Sequence, residues 1–151
     1  MIGVFDSGFG GLTIHHALIN ALPEKDFVYL GDNKNAPYGT RPPIEVLTHT
    51  CAGLETLFAQ GATLVIVACN TASVVALRWI QQQWLPARIK QDGIKRNAIG
   101  IVVPTIEAAT GTTCGGPGAG ENPGQSRGAR RRNRLASRRE QWLCLDLQHP
   151  H

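Results

Sequence analysis

The clearest structural signal in the sequence is the segment Leu64-Val65-Ile66-Val67-Ala68-Cys69-Asn70-Thr71-Ala72-Ser73. A short apolar run ends in Cys-Asn-Thr, and a helical spacing of apolar residues begins directly afterwards. This pattern predicts a buried strand that enters a helix through a turn of one or two residues. The Cys69 thiol would then lie at the carboxyl end of the strand, beside backbone N–H groups that stabilise a thiolate. A free cysteine more often packs as a small apolar side chain, so a chemical role for Cys69 depends on the rest of the chain.

The same order of strand, loop and helix recurs along residues 1–111. Apolar runs predict strands at 2–5, 27–30, 64–67 and 98–103. Apolar periodicity predicts helices at 12–22, 44–60 and 71–84, the last ending before Pro86, and a further helix from Pro104. Residues 87–97 read as a polar insertion. Four successive βα units predict an α/β fold with a parallel sheet and right-handed crossovers.

The net charge of +4 is unevenly distributed between two regions. Residues 1–111 hold eight Lys or Arg and eight Asp or Glu, so that region is neutral. Residues 112–151 hold seven Arg and three acids, and they contain no Ile, Val, Phe or Tyr. Such a composition buries too little apolar surface to offset chain entropy. We therefore expect a folded domain over 1–111 and a disordered, irregular basic tail over 112–151, in which only residues 142–147 have strand-like character.

Several functional classes are disfavoured by composition. No apolar run approaches the roughly 18 residues of a membrane span, and the start of the chain lacks a basic and apolar signal segment. A cytoplasmic location without membrane contact is therefore expected. The four cysteines form no CxxC pair and have no histidine at zinc-finger spacing, so we expect neither a metal site nor a disulfide framework. His15 and His16 are adjacent and would point about 100° apart on a helix, which disfavours joint chelation.

Three loops at predicted strand ends carry the polar residues of interest. They are Asp6-Ser7-Gly8-Phe9-Gly10-Gly11-Leu12, Asp32-Asn33-Lys34-Asn35-Ala36-Pro37-Tyr38-Gly39 and Ala68-Cys69-Asn70-Thr71-Ala72. Each alone is typical of an ordinary turn or helix N-cap. Together, and with Gly100-Ile101-Val102-Val103-Pro104 further on, they resemble glutamate racemases of the aspartate/glutamate racemase superfamily. The resemblance covers residues 1–111 and implies the first of that family's two α/β domains.

The resemblance implies cofactor-independent interconversion of L- and D-glutamate, which supplies D-glutamate for peptidoglycan. It implies catalytic roles for Cys69 and Asp6. The substrate-binding positions that it implies are Asp6, Ser7, Tyr38, Gly39, Asn70 and Thr71. These roles are chemically reasonable, because hydroxyl, amide and backbone N–H donors suit the carboxylates of glutamate. A thiolate within hydrogen-bond reach of the α-proton can act as a general base.

The chain departs from the family pattern at the second catalytic cysteine, which in the family is followed by Thr-His. No Cys-Thr-His occurs here, and Cys144 is followed by Leu145-Asp146. We therefore expect a truncated and impaired racemase. A frame change near residue 112 would explain the altered composition; the coding DNA would show it as a second domain with Cys-Thr-His in another frame.

Other functions remain open from the sequence. The Arg-rich run 127–139 could contact nucleic-acid phosphates, although Trp142 is the only aromatic residue of the tail and we do not favour nucleic acid as a partner. A non-catalytic amino-acid-binding half that pairs with another chain is a further alternative. A homodimer is possible, and the sequence does not tie it to one of these functions.

Overall fold

The fold is a three-layer α/β arrangement around one parallel sheet. In this computed structural model, residues 1–111 and the backbone of residues 140–144 are described. The sheet has the strand order β4-β3-β1-β2-β5, with every neighbouring pair parallel. The predicted α/β class with a parallel sheet is confirmed. The strands are β1 Ile2–Asp6, β2 Phe27–Gly31, β3 Leu64–Val67, β4 Asn97–Gly100 and β5 Glu140–Cys144.

Helices cover both faces of the sheet because successive strand residues point to opposite sides. Val4 packs with Ile19 of the first helix, whereas Phe5 packs with Leu54 and Leu57 of the second. The helices are α1 Leu12–Ala21, α2 Pro43–Ala59, α3 Asn70–Val75, α4 Leu77–Trp79, α5 Leu85–Asp92 and α6 Val102–Thr110. Short 3-10 turns at Asn33–Asn35 and Tyr38–Thr40 lie between β2 and α2. Among the described residues, no helix combines the length and apolar character needed to cross a membrane.

The histidine pair of the first helix occupies two different environments. His15 is buried, with its ring centroid 6.0 Å from that of Phe27 and 5.4 Å from that of Tyr29. His16 is exposed, and its Nε2 lies 3.0 Å from the amide nitrogen of Asn20. The two rings therefore face different surroundings, as adjacent residues of a helix should.

The helix that follows the third strand is longer than the sequence predicts. The prediction that it ends before Pro86, with a polar insertion over 87–97, is wrong. The chain continues through a π-helical turn, Ile80–Trp84, into α5, which ends at Asp92 before Gly93 in the left-handed conformation. Pro86 is the second residue of α5, directly after the π-helical turn, so a proline does not end the helical run here.

The fourth strand and the last helix are also shifted from their predicted bounds. The strand ends at Gly100 instead of residue 103, and α6 begins at Val102 instead of Pro104. Pro104 is the third residue of α6, and the N–H groups of the first turn have no partner within a helix in any case. Apolar residues at 101–103 therefore belong to the helix start, although their composition resembles a strand.

The tail contributes one strand to the sheet. Residues 140–144 pair with β2, with Glu140 opposite Phe27 and Cys144 opposite Gly31. This strand overlaps the stretch 142–147, which has strand-like composition. The other tail residues, for which we expect disorder and which include the Arg-rich run, lie outside the described part of the chain.

A close contact between β1 and α2 fixes the centre of the domain. Phe5 is fully buried, and its ring lies against Gly53 of α2. A Cβ at position 53 would come 2.2 Å from Phe5 Cε2, which is far inside van der Waals contact. Gly53 is therefore required by the close approach of the helix to the ring.

We predict that Gly53→Ala destabilises the protein by about 1–3 kcal/mol, because the added methyl group must displace the buried Phe5 ring. Chemical denaturation followed by circular dichroism measures this change. Ala52 is exposed on the same helix, so Ala52→Gly should cost only the helix-propensity difference of about 1 kcal/mol. Helix propensity alone would make Gly53→Ala stabilising, and a gain in stability would contradict the packing argument.

Candidate active site

The three loops of interest meet at one edge of the sheet. Strands β1, β2 and β3 are adjacent and parallel, with Asp6 opposite Gly31 and Phe5 opposite Val67. Their carboxyl ends therefore lie at one height, where parallel α/β sheets usually bind ligands. A Cβ at Gly31 would lie 2.6 Å from the Gly8 carbonyl oxygen. The loop after β1 thus touches the end of β2 directly.

Cys69 lies between two of these loops. It is the N-cap residue of α3, and its side chain is almost fully buried. Its Sγ accepts the backbone N–H of Ala72 at 3.4 Å and lies 3.2 Å from Oγ of Ser7. The strand-end position predicted from the sequence is confirmed. Ser7 and Cys69 are 62 residues apart in sequence, yet their side chains form one polar pair.

Asp6 organises the loop that carries Ser7. Its Oδ2 accepts the backbone N–H groups of Gly8 at 3.2 Å and Gly11 at 3.0 Å. Gly11 packs tightly here, because a Cβ at that position would lie 2.8 Å from Asp6 Cβ and 2.9 Å from Ala68 Cβ. One oxygen of the Asp6 carboxylate therefore closes the turn before α1, beside the Ser7–Cys69 pair.

Asp32 holds the second loop, a role that the sequence reasoning did not assign. Tyr38 is almost completely buried and donates its hydroxyl to Oδ2 of Asp32 at 2.7 Å. The side-chain amide of Asn35 lies 3.0 Å from each carboxylate oxygen. The position of Asp32 in the sequence could have indicated this role. Asp32 directly follows β2, much as Asp6 is the last residue of β1. Both acids use their oxygens to shape the loop that they begin.

The second loop also reaches the third. A Cβ at Gly39 would lie 3.9 Å from Oγ1 of Thr71, so Gly39 faces the start of α3. Burial raises the pKa of Tyr38 well above its ordinary value; its hydrogen bond to Asp32 and the charges of Asp32 and Cys69 raise it further, against an opposing effect of Arg41. Thr71 is half-buried and Asn70 is exposed. All the site residues predicted from the sequence therefore lie at this edge, with Tyr38 as a buried support.

This edge offers hydrogen-bond donors next to a potential proton acceptor. The Ser7 hydroxyl, the Asn70 amide and the Thr71 hydroxyl can meet an anionic substrate, and the Cys69 sulfur can exchange a proton. Among residues 1–111, no group of three or more His, Cys, Asp or Glu side chains converges in a way that could hold a metal ion. The hydroxyl and amide donors beside the Cys69 thiol are groups that can take part in acid–base chemistry on a small polar molecule.

A concavity of about 350 Å³ lies away from these loops, between β4, α6 and the helices that follow β3. Its lining is mostly apolar, with Leu77 and Ile99 among its residues. Its polar side chains are already engaged: the Ser73 hydroxyl donates to the Val67 carbonyl at 2.9 Å, and the Gln81 amide donates to the Ala98 carbonyl at 2.7 Å. This concavity is therefore less suited to a charged ligand than the edge around Cys69.

Comparisons with known proteins find similarity to glutamate racemases. The chain is 62% identical over 110 residues to the glutamate racemase of Caulobacter sp. strain K31, covering 73% of this chain and 39% of that protein. The glutamate racemase structure from Aquifex pyrophilus matches with a TM-score of 0.61 and 35% identity over 74% of this chain and 40% of that one. The Francisella tularensis glutamate racemase in complex with D-glutamate matches with a TM-score of 0.59 and 33% identity, over 71% of this chain and 37% of that one. No protein-family model matches the chain.

The N-terminal part of the chain, about 73% of its length, is homologous to glutamate racemases in sequence and similar to them in fold. The chain spans about two fifths of the length of the relatives that it matches.

We predict that Tyr38→Phe destabilises the protein by about 1–2 kcal/mol near neutral pH, because buried Asp32 loses one of its donors. A raised folded pKa means that the folded protein holds the phenolic proton more tightly than the unfolded chain does. This contribution to stability is therefore present below about pH 10 and is lost as the pH rises above it. Urea denaturation of both proteins from neutral to alkaline pH should show the difference shrinking. A difference that stays constant with pH would contradict the assigned hydrogen bond.

We also predict that Cys69 is alkylated faster than Cys51 at about pH 8. Burial raises the pKa of Cys51 to about 11, so only about one Cys51 thiol in a thousand is ionised at that pH. Cys69 instead receives a backbone N–H on its sulfur. Mass spectrometry after timed exposure to iodoacetamide separates the two sites, with Cys69→Ser and Cys51→Ser as controls. Faster modification of Cys51 would contradict a reactive thiol at the strand end.

Proposed function

We propose that residues 1–111 form one half of a glutamate racemase site, and that the 151-residue chain by itself is an impaired racemase. The observation that carries this proposal is the placement of Cys69 Sγ between Ser7 Oγ and the Ala72 N–H, at the edge where three strand-end loops meet. The homology to glutamate racemases supports glutamate as the substrate. The reaction is the interconversion of L- and D-glutamate without a cofactor, and its product serves peptidoglycan synthesis in the cytoplasm.

Each side chain at the edge has a role that fits its chemistry. Ser7, Asn70 and Thr71 provide donors for substrate carboxylates, and Gly39 leaves room beside Thr71. Cys69, as a thiolate, removes the proton from the α-carbon or, as a thiol, returns one. The Asp6 carboxylate lies in the loop of Ser7, where it can meet the substrate ammonium group. Tyr38 and Asp32 hold the loop of Gly39 in place.

Racemisation needs a second acid or base on the opposite face of the α-carbon. Cys69 serves one face only, and the Cys-Thr-His pattern that would serve the other is absent from the sequence. An open site also admits water, which weakens electrostatic interactions with the reacting groups. Loss of one acid–base group typically lowers the rate by about 10²–10⁴-fold. These effects together support the assignment of an impaired form.

We therefore predict little or no interconversion of L- and D-glutamate by the purified 151-residue chain. Incubation with L-glutamate, followed by chiral separation of the enantiomers, measures it directly. Cys69→Ala should abolish any residual turnover, because Cys69 is the proposed acid–base group. Glutamate binding, followed by calorimetry, tests the half-site independently of turnover.

Cys144→Ala separates the remaining possibilities. Robust turnover that is lost in Cys69→Ala and kept in Cys144→Ala would overturn the impaired assignment and require a mechanism with one cysteine. Turnover lost in both variants would make Cys144 the second acid–base group. Absence of both turnover and glutamate binding would contradict the proposed half-site.

A further inference from the structure

A small cavity lies between the carboxyl end of β2 and helix α2, beside the loop that begins at Asp32. Its volume is about 20 Å³, and the residues that line it include Leu30, Asp32, Asn35, His49 and Ala52. A cavity of this size holds one water molecule when two to four polar groups surround it. The side chains of Asp32, Asn35 and His49 meet that requirement. The cavity therefore has the size and the lining of a site for a single water.

The Asp32 carboxylate has room for one further hydrogen bond. Its Oδ2 accepts the Tyr38 hydroxyl at 2.7 Å, and the amide nitrogen of Asn35 lies 3.0 Å from each of the two carboxylate oxygens. Among residues 1–111, these three contacts use three of the roughly four acceptor positions of a carboxylate, and the remaining position is on Oδ1. Asp32 is buried, so an acceptor left unsatisfied there costs free energy. A water in the cavity can donate to this position.

His49 is the second group that such a water would contact. It lies on α2 and is half-buried, with its ring centroid 6.0 Å from that of Tyr38. A neutral imidazole has one donor nitrogen and one acceptor nitrogen, so His49 can bond a water in either direction. The nearby Arg41 is already engaged, because its Nε donates to the Asn35 carbonyl at 2.6 Å and its Nη1 pairs with Glu45 at 3.0 Å.

We propose that one water in this cavity joins His49 to Asp32, and that His49 is thereby a positioning residue for the second loop. The water fixes the Asp32 carboxylate, and the carboxylate holds the Tyr38 hydroxyl. Tyr38 directly precedes Gly39, which faces Thr71 at the start of α3. The importance of this loop for glutamate rests on the proposed function, whereas the water and its effect on the loop do not.

A high-resolution crystal structure of the full chain tests the water site directly. We expect one water at about 2.7–3.2 Å from both Asp32 Oδ1 and a ring nitrogen of His49. In His49→Phe, which keeps a flat ring beside Tyr38 but removes the polar atoms, the water should be lost. In His49→Gln, which keeps a donor and an acceptor, the water should remain.

Hydrogen exchange measures the effect on the loop. The backbone N–H groups of Ala36 and Arg41 donate to carbonyls of the same loop, those of Asn33 and Tyr38. We expect both amides to exchange about fivefold faster in His49→Phe, as the loss of one hydrogen bond implies. In His49→Gln their exchange should stay close to that of the unsubstituted chain.

His16→Phe is the matched control, because His16 is exposed on α1 and does not line the cavity. Its loop amides should exchange as in the unsubstituted chain. Amides of β1 and β3 serve as an internal reference, since a general loss of stability would accelerate them as well. Circular dichroism confirms that each variant is folded.

Three results would overturn the proposal. The first is a crystal structure of the unsubstituted chain in which no water joins His49 to Asp32. The second is loop exchange in His49→Phe that is unchanged, or that rises together with exchange in β1 and β3. The third is equal acceleration in His49→Phe and His49→Gln, which would assign the effect to ring packing. Glutamate binding is measured separately, so a failed half-site and a failed water site give different results.

Discussion

The parallel pairing of β1 with both β2 and β3 fixes where the three polar loops begin. It sets Asp6 beside Gly31 and Phe5 beside Val67, so the three loops that follow begin at one height. Helix α2 holds β1 in this position through the contact between Phe5 and Gly53. Because the strands are short and almost entirely buried, the sheet is a rigid base from which the polar loops project. The distance between Ser7 and Cys69 follows from this pairing, since their loops extend from neighbouring strands.

Two buried acids, Asp6 and Asp32, shape the loops of the candidate site above the sheet. Asp6 accepts backbone N–H groups of its own loop, and Asp32 accepts the Tyr38 hydroxyl and the Asn35 amide. Hydrogen bonds to a carboxylate are stronger than those between neutral groups, so they fix loops that would otherwise move. The groups left facing outward, Asn70 and Thr71 among them, are therefore presented in one arrangement. The site combines rigid supports with a few exposed donors and one thiol.

Much of the fold could be predicted from sequence because strand burial and loop composition are local signals. The run 64–69 shows its strand, its turn and its cysteine within a few residues, and the structure confirms each. The wrong element bounds involve proline, which can either end a helix or lie in its first turn. Pro86 and Pro104 read as boundaries, yet both lie in first turns of helices, where tertiary packing decides whether the chain continues. Asp32 was missed as a support because its partner Tyr38 is six residues away and only the folded loop brings them together.

The close approach of Gly31 to Gly8 couples the site to the stability of the sheet. The Gly8 carbonyl accepts the Tyr29 hydroxyl at 2.7 Å and occupies the space where a side chain at position 31 would stand. The first loop is therefore shaped partly by residues of β2, and it cannot reach its final form before that strand has docked. The conformation of the first loop therefore depends on the pairing of β2 in the sheet. Local opening of β2, a strand of the core, would therefore also disorder the first loop.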